Sequence, residues 1–404
     1  MKTATLANVE VSLTWRSAVA SHCDRLFVSN IDTAHDSVPA PLSQKLLDLK
    51  VGESCNAQFA AGELVPAHDP LRQVTFPRTQ FISQQRHLRI EPRLGRFYPQ
   101  GFAWQALNCT PNTFQPFRII NDTRLTLGGD LNHPLAQYPL TLHLRDAPEL
   151  VSQPQRANTP RDIARLITEN GAGMQTPYPK VSTDFYADYP FGRGDEAQDA
   201  QFYTNPRLIR HLDSTAIAQV TALYARLLTP NTRVLDLMSS WVSHLPESLA
   251  LKTVTGLGMN AAELAANPRL TKRVVHDLNH EPQLPFADDQ FDAVICSVSV
   301  EYLTQPLAVM QELARVTQAG GKVIMVFSTR WFPSKAISLW GEMHPFERQG
   351  LVLDYFLKTG KFSELHTESL RGLPRPKTDP HYRETSVSDP VFAVWGTVKS
   401  TKSA

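Results

Sequence analysis

Glycine is scarce in this chain. It supplies 19 of 404 residues, about 5%, against about 7% in ordinary proteins. That shortage counts against enzymes built on Gly-rich phosphate loops, and no P-loop pattern occurs. Cysteine is scarcer still. Cys23, Cys55, Cys109 and Cys296 lie far apart and form no CxxC. A disulfide framework and a zinc knuckle are therefore not expected, no metal-ligand spacing is present, and a reducing, cytoplasmic setting is expected. No apolar run reaches the roughly 18 residues of a membrane span. The opening MKTATLANVEVSLTW lacks the apolar stretch of a signal peptide. Charge of one sign is missing too: 40 Lys and Arg face 39 Asp and Glu, a net charge of +1. Bulk electrostatic binding to nucleic acid or an anionic membrane is not expected from that balance.

What remains is ample for a folded protein. Hydrophobic residues make up 42% and charged residues 20%, enough for a packed core. At roughly 150 residues per domain the length predicts two or three domains. Three zones separate by pattern. Residues 1–145 read as β-rich: VEVSLTW (9–15) and LTLHL (140–144) alternate apolar and polar residues, the period of a half-buried strand. LSQKLLDL (42–49) is the helical exception. Residues 146–200 read as linker and covering segment, with one helix expected over 160–170. Residues 201–404 alternate helices with short apolar strands. The expected strands are 233–238, 253–259, 273–278, 291–300, 322–328 and 391–398. Helices are expected over 206–228 and 306–318, the latter ending at Gly320-Gly321. This alternation predicts a doubly wound α/β sheet. In such a sheet ligands bind at the carboxyl ends of the strands, near the switch point.

The residues just after those strands carry a resemblance. VLDLMSSW, VTGLGMN, VVHDLN and LPFADDQFDAVICSVSVEYLTQP, with the later ARVTQAGG turn, resemble the class I S-adenosylmethionine-dependent methyltransferases. VLDLMSSWVSHLP and FSTRWFPSKAISLW resemble a subgroup of plant and bacterial methyltransferase-domain proteins, which supplies no substrate. The resemblance implies a Rossmann-like sheet and S-adenosyl-L-methionine as cofactor. It implies that Asp236, Met238, Ser239 and Ser240 hold the methionine part. It places Gly258, Met259 and Asn260 at the ribose. Asp277, Leu278 and Asn279 fall at the adenine, with Ser297 and Val298 after the fourth strand. Two departures stand out. The family's D-x-G-x-G loop lacks its glycines here, and Gly258 stands where the ribose-binding acid belongs, with Asn260 a weaker substitute acceptor. Modified binding, weak binding and lost binding are all open; the intact third- and fourth-strand signals favour the first.

Methyl transfer needs positioning, plus a base where the acceptor is protonated. Glu301 and Tyr302 are the catalytic candidates. Tyr203, Arg207, His211 and Arg330 are the substrate-side candidates, with Lys335 nearby; Trp331, Phe332 and Trp340 read more simply as packing. The acceptor, a small molecule or a protein, has no readable code.

Two N-terminal fragments resemble another family. SVPAPLSQKLLDLKVGES (37–54) and GGDLNHPLAQYPLTLHL (128–144) resemble FKBP-type prolyl isomerases of the SlyD-like branch. That implies an FKBP-like α+β domain and a proline-containing peptide as partner. Its aromatic pocket has only weak candidates in Phe97, Tyr98, Phe102 and Trp104. Arg86, Arg89, Arg93 and Arg96 read as a solvated strand face. The function expected is methyl transfer to an unidentified acceptor. The alternative is a peptide-binding or isomerase-like module fused to a non-catalytic methyltransferase-like scaffold.

Overall fold

The computed structural model describes residues 6–32, 34–50, 52–85, 88–147 and 159–400. Contacts divide the chain into two compact units: Met1–Pro190 with Glu342–Leu351, and Phe191–Gly341 with Val352–Ala404.

The first unit is built mostly of strands. β1 (Leu6–Arg16), β2 (Ser21–Asp32), β3 (Ser54–Phe59) and β10 (Leu140–Asp146) pair antiparallel in the order β2-β1-β10-β3. The alternation read in 9–15 and 140–144 has a direct cause. Val9, Val11 and Leu13 face one core with Leu140, Leu142 and Leu144. The helices α1 (Ala40–Asp48) and α2 (Ile163–Thr168) add Leu42, Leu46, Ile163 and Ile167 to it. A second antiparallel sheet joins β4 (Gln73–Pro77), β7 (Phe97–Pro99), β8 (Pro116–Asp122) and β9 (Thr126–Asp130) in the order β4-β9-β8-β7. Between them in sequence lies the short ribbon β5 (Gln84–Gln85) and β6 (Leu88–Arg89).

Tyr98 and Phe102 are core residues of that second sheet. Tyr98 packs edge-on against Phe81 at 5.1 Å and lies 6.2 Å from Phe102. Its hydroxyl donates to the Glu91 carbonyl. The arginines do not form one solvated face. Arg89 pairs with Glu91 at the surface and Arg93 pairs with Asp188. Arg96 is buried, with Nε 2.8 Å from Glu347 Oε1. The Glu347 carboxylate drew it inward, because a buried guanidinium needs a counter-charge. Arg86 lies outside the described residues.

The second unit holds α3 (Asp199–Phe202), α4 (Ser214–Leu227), β11 (Arg233–Leu237), β12 (Thr253–Gly258), α5 (Ala261–Ala266), β13 (Lys272–Val275), β14 (Phe291–Ser297), α6 (Pro306–Val316) and β15 (Thr317–Phe327). Then come α7 (Ser338–Glu342), α8 (Pro345–Thr359), β16 (Phe362–Arg371) and β17 (Val391–Val398). Its strands run β13-β12-β11-β14-β15-β17-β16, parallel through β15 and antiparallel for β17 and β16. Val234, Leu235, Val294, Ile295, Val323 and Ile324 are fully buried. That is why these segments read as continuous apolar runs. From β11 the chain winds outward to β13, then returns to β14 on β11's other side. The reversal opens a crevice at the carboxyl ends of β11 and β14.

Several boundaries differ from the sequence reading, and two of them have a clear physical reason. The helix expected over 206–228 begins only at Ser214. Asp213 caps it, accepting from the N–H groups of Thr215 and Ala216, a cap that fixes the start of a helix. Residues 206–212 stay irregular, with Leu208 and Ile209 exposed. The helix expected over 306–318 ends at Val316, and the chain enters β15 at once. Gly320 and Gly321 lie inside that strand. Gly320 has φ +81°, and a Cβ at Gly321 would stand 2.7 Å from the Asp292 carbonyl oxygen. The glycines serve a strand irregularity instead of a helix cap. No helix among the described residues is long and apolar enough to cross a membrane.

Candidate active site

A cavity of about 630 Å³ opens at the crevice, within the range of about 300–1,000 Å³ typical of cofactor and substrate sites. Asp236, Met238, Ser239, Ser240, Gly258, Met259, Asn260, Asp277, Leu278, Asn279, Ser297 and Val298 all line it. So do Tyr203, Arg207, His211, Arg330 and Tyr302. Glu301 does not: it is fully buried and absent from the cavity wall. It lies in the single 3-10 turn after β14, next to Tyr302, whose ring reaches the wall. Lys335 is buried as well, pairing with Asp195 at 3.1 Å and Asp199 at 3.2 Å.

The loop after β11 keeps the backbone shape of a glycine loop without the glycine. Met238 has φ +54°, the left-handed region that costs an L-residue roughly 1–2 kcal/mol. Ser239 N–H donates to the Leu257 carbonyl at 2.7 Å, which lays the loop across the end of β12. A Cβ on Gly258 would sit 2.1 Å from the Ser239 carbonyl oxygen. The two departures in the sequence are therefore one. The loop lies on the strand end, and the residue beneath it has no room for a side chain. A main-chain acceptor now stands where a carboxylate at 258 would project. Val298, after β14, has φ +46°. A β-branched residue there is strained, as is common at functional sites.

Asn260 is not available to a ligand as its position suggests. Its Oδ1 accepts from the N–H groups of Ala262 and Glu263, capping α5. Its Nδ2 donates to the Tyr203 and Thr204 carbonyls. The acid on this wall is Glu263. Its Oε2 accepts from Ser240 Oγ at 2.6 Å, and its Oε1 accepts from Arg207 N–H at 2.7 Å. It ties the β11 loop to the 203–213 segment. Asp277 Oδ1 accepts from the N–H groups of Asn279 and His280, and Oδ2 makes no hydrogen bond among the described residues. Asn279 donates to Asp199 at 2.8 Å, and Arg193 grips Asp199 with contacts of 2.7 and 2.9 Å. Asp199 and Glu263 carry no motif in the sequence; only their partners across the fold reveal them.

The electrostatics follow from burial. Asp236 is almost fully buried, with Ser239 Oγ donating to it at 2.6 Å. Desolvation pushes its carboxyl up to about 7, against hydrogen bonds from Ser239 and Ser243. Desolvation holds the His211 imidazole below its ordinary value and brings His244 down to about 4, so both are neutral at pH 7. Burial raises the Tyr302 and Tyr203 phenols. Tyr302 Oη accepts from Phe332 N–H, and its ring stacks on Phe332 at 6.0 Å. Arg207 lies over Phe202 at 4.4 Å and near Phe332 at 5.3 Å. Arg330 pairs with Asp389 at 2.8 Å. Trp241, Trp331 and Phe332 line the cavity as well.

Residues 239–325 match the methyltransferase-domain family. With the strand order above, that match supports a class I, Rossmann-like methyltransferase domain in the second unit, with S-adenosyl-L-methionine as its cofactor. The demethylmenaquinone methyltransferase of Mycolicibacterium paratuberculosis is 39% identical over 82 residues, 20% of this chain and 32% of its own. That of Corynebacterium urealyticum is 34% identical over 113 residues, 27% of this chain and 47% of its own. The chain thus spans less than half the length of these relatives. Among solved structures, geranyl diphosphate C-methyltransferase from Streptomyces coelicolor A3(2), with S-adenosyl-L-homocysteine bound, aligns with 48% of this chain at 13% identity and a TM-score of 0.32, covering 95% of its own chain. The YcgJ protein of Bacillus subtilis aligns with 45% of this chain at 14% identity and a TM-score of 0.34, covering 99% of its own.

Proposed function

We propose that the second unit transfers a methyl group from S-adenosyl-L-methionine to a small acceptor with a flat ring. One observation carries this reading: every residue expected at the cofactor lines a single cavity at the switch point. When bound, the cofactor supplies an electrophilic methyl on a sulfonium. Asp277 Oδ2 takes the adenine amine, and Asp236 with the loop Met238–Ser240 takes the methionine end. The Ser239 carbonyl accepts a ribose hydroxyl in place of the missing carboxylate. Trp241, Trp331 and Phe332 hold the acceptor ring and exclude water. His211, neutral at pH 7 and edge-on to Phe332 at 5.4 Å, takes the acceptor's proton; Glu301, fully buried, is not the base. The relatives named as demethylmenaquinone methyltransferases favour a quinone-type ring as acceptor.

Calorimetric titration of the full chain with S-adenosylmethionine and S-adenosylhomocysteine tests the reading. Asp277→Asn keeps the Oδ1 cap but puts an NH₂ where Oδ2 accepts. It should weaken binding at least tenfold, because an unmade buried hydrogen bond costs about 1–3 kcal/mol. The melting temperature should not change. Wild-type affinity in Asp277→Asn would refute the adenine assignment, and no heat from either ligand would refute the cofactor site. The FKBP-like reading of the first unit rests on two sequence segments, and Tyr98 and Phe102 are committed to core packing. A prolyl-peptide isomerisation rate equal to background would count against isomerase activity.

A further inference from the structure

Arg118, on β8 of the first unit, is a buried cation that makes no ion pair among the described residues. It is 6% exposed. Its Nη2 donates to the Thr176 carbonyl at 2.7 Å. Its Nε has no hydrogen-bond partner, and among the described residues no carboxylate pairs with it. The guanidinium instead lies over the Phe97 ring at 3.9 Å and near the Tyr178 ring at 5.4 Å. Burial drags its pKa down to about 10, against the opposing charges of Glu347 and Asp130. It remains charged at neutral pH. Buried charges are ordinarily paired, since desolvation costs several kcal/mol per ion.

The guanidinium forms part of the wall of a small cleft that also includes Tyr138, Gln137, His133 and Asp130. We propose that this cleft binds a small oxyanion, a carboxylate or a phosphate, with Arg118 as its principal partner. The other groups leave that role to Arg118. His133 Nδ1 accepts from Leu135 N–H while Nε2 meets the Thr168 carbonyl. That pattern fixes a neutral ring with its proton on Nε2. Asp130 is the only carboxylate on the wall, and its charge is already answered. Asn132 donates to it through N and Nδ2, Tyr178 through Oη and Gln73 through Nε2. Among the described residues the Tyr138 hydroxyl makes no hydrogen bond, which leaves it as a second donor for the anion. The cleft's free volume, about 30 Å³, exceeds the roughly 10–15 Å³ that one water needs. It suits the head of an anion and not a large substrate. A planar fork of donors beside a ring is the setting in which guanidinium recognises oxyanions.

Titration of the full chain with acetate, phosphate and chloride at constant ionic strength tests this. At least one oxyanion should bind tenfold or more tightly than chloride. Preference for acetate identifies a carboxylate and preference for phosphate a phosphoryl group. Arg118→Gln should lose at least tenfold of that affinity. Should that variant fail to fold, Tyr138→Phe, which cuts no internal hydrogen bond, should weaken oxyanion binding several-fold. Equal response to all three anions would overturn the proposal and leave the charge held by the two rings alone. Wild-type affinity in a folded Arg118→Gln, or in Tyr138→Phe where that variant must decide, would overturn it as well.

Discussion

Gly258→Ala should cost about 3 kcal/mol of stability and raise the dissociation constant for S-adenosylmethionine at least tenfold. A single methyl has that effect because nothing around it can yield cheaply. The new Cβ would stand 2.1 Å from the Ser239 carbonyl oxygen and 3.2 Å from Leu264 Cδ2. The Ser239 carbonyl cannot swing aside alone. Ser239 N–H is bonded to Leu257, the Ser240 hydroxyl to Glu263, and the Ser240 carbonyl to Asn267 Nδ2 at 2.8 Å. Met238 already sits in the left-handed region, so no easy torsion remains to absorb the shift. The loop must lift from β12 as a unit, and with it the surface proposed to hold the cofactor's methionine end. Gly258→Glu, which restores the family's acid, should be worse than alanine. Urea unfolding and calorimetry on both variants give the two readouts. A Gly258→Ala protein with wild-type midpoint and affinity would mean that the loop is free to move, and the account of the missing glycines would fail.

That coupling marks the limit of what the sequence discloses. Strands at 233–238, 253–259 and 291–300 are legible because both faces of each are covered, which leaves an uninterrupted apolar run. The residues after them are legible because a parallel sheet presents its strand ends to one crevice. The exchange between Met238 and Gly258 is not legible: the two residues are neighbours only across the β11–β12 pair. Read singly, each looks like damage to a motif. Asn260 misleads for a similar reason. As a lone polar residue after a strand it suggests a ligand contact, yet its carbonyl caps α5 and its amide holds 203–204. Glu263 reads as a plain helix residue and proves to join two cavity segments. Glu301 shows the reverse case. A carboxylate beside a strand end suggests a base, but the turn after β14 carries it into the interior. The apolar spacing of 206–228 extends a helix through residues that the Asp213 cap excludes. Local signals set the sheet; partners distant in sequence set the chemistry.

The contribution of Asp236 to stability should fall as pH rises from about 4 to about 7 and level off above, and Asp236→Asn should remove that contribution. The sign follows from the proton. Asp236 has an ordinary value of 3.8 and is raised to about 7 in the folded chain. Across that window the folded state keeps a proton that the unfolded state has released, so each step up in pH favours unfolding. The difference is about 3 pH units, or about 4 kcal/mol at 1.36 kcal/mol per unit. Asp236→Asn keeps the shape and carries no charge. Its stability relative to wild type should therefore grow from pH 4 to 7 and stay about 4 kcal/mol higher at pH 8. Subtracting the two profiles isolates this one group from all other titrations. Cofactor binding runs the opposite way. The methionine end of S-adenosylmethionine brings a sulfonium and an ammonium against one carboxylate, a net positive charge that favours the ionised Asp236, so affinity should rise with pH up to about 7 and then plateau. Asp236→Asn should bind weakly with no such rise. A carboxylate that costs folding energy where it is charged, yet strengthens the cofactor there, is expected of a group placed for binding; a structural role predicts the stability slope alone. Parallel stability and affinity profiles for wild type and Asp236→Asn separate the two, and a flat affinity profile in wild type would assign Asp236 to structure only.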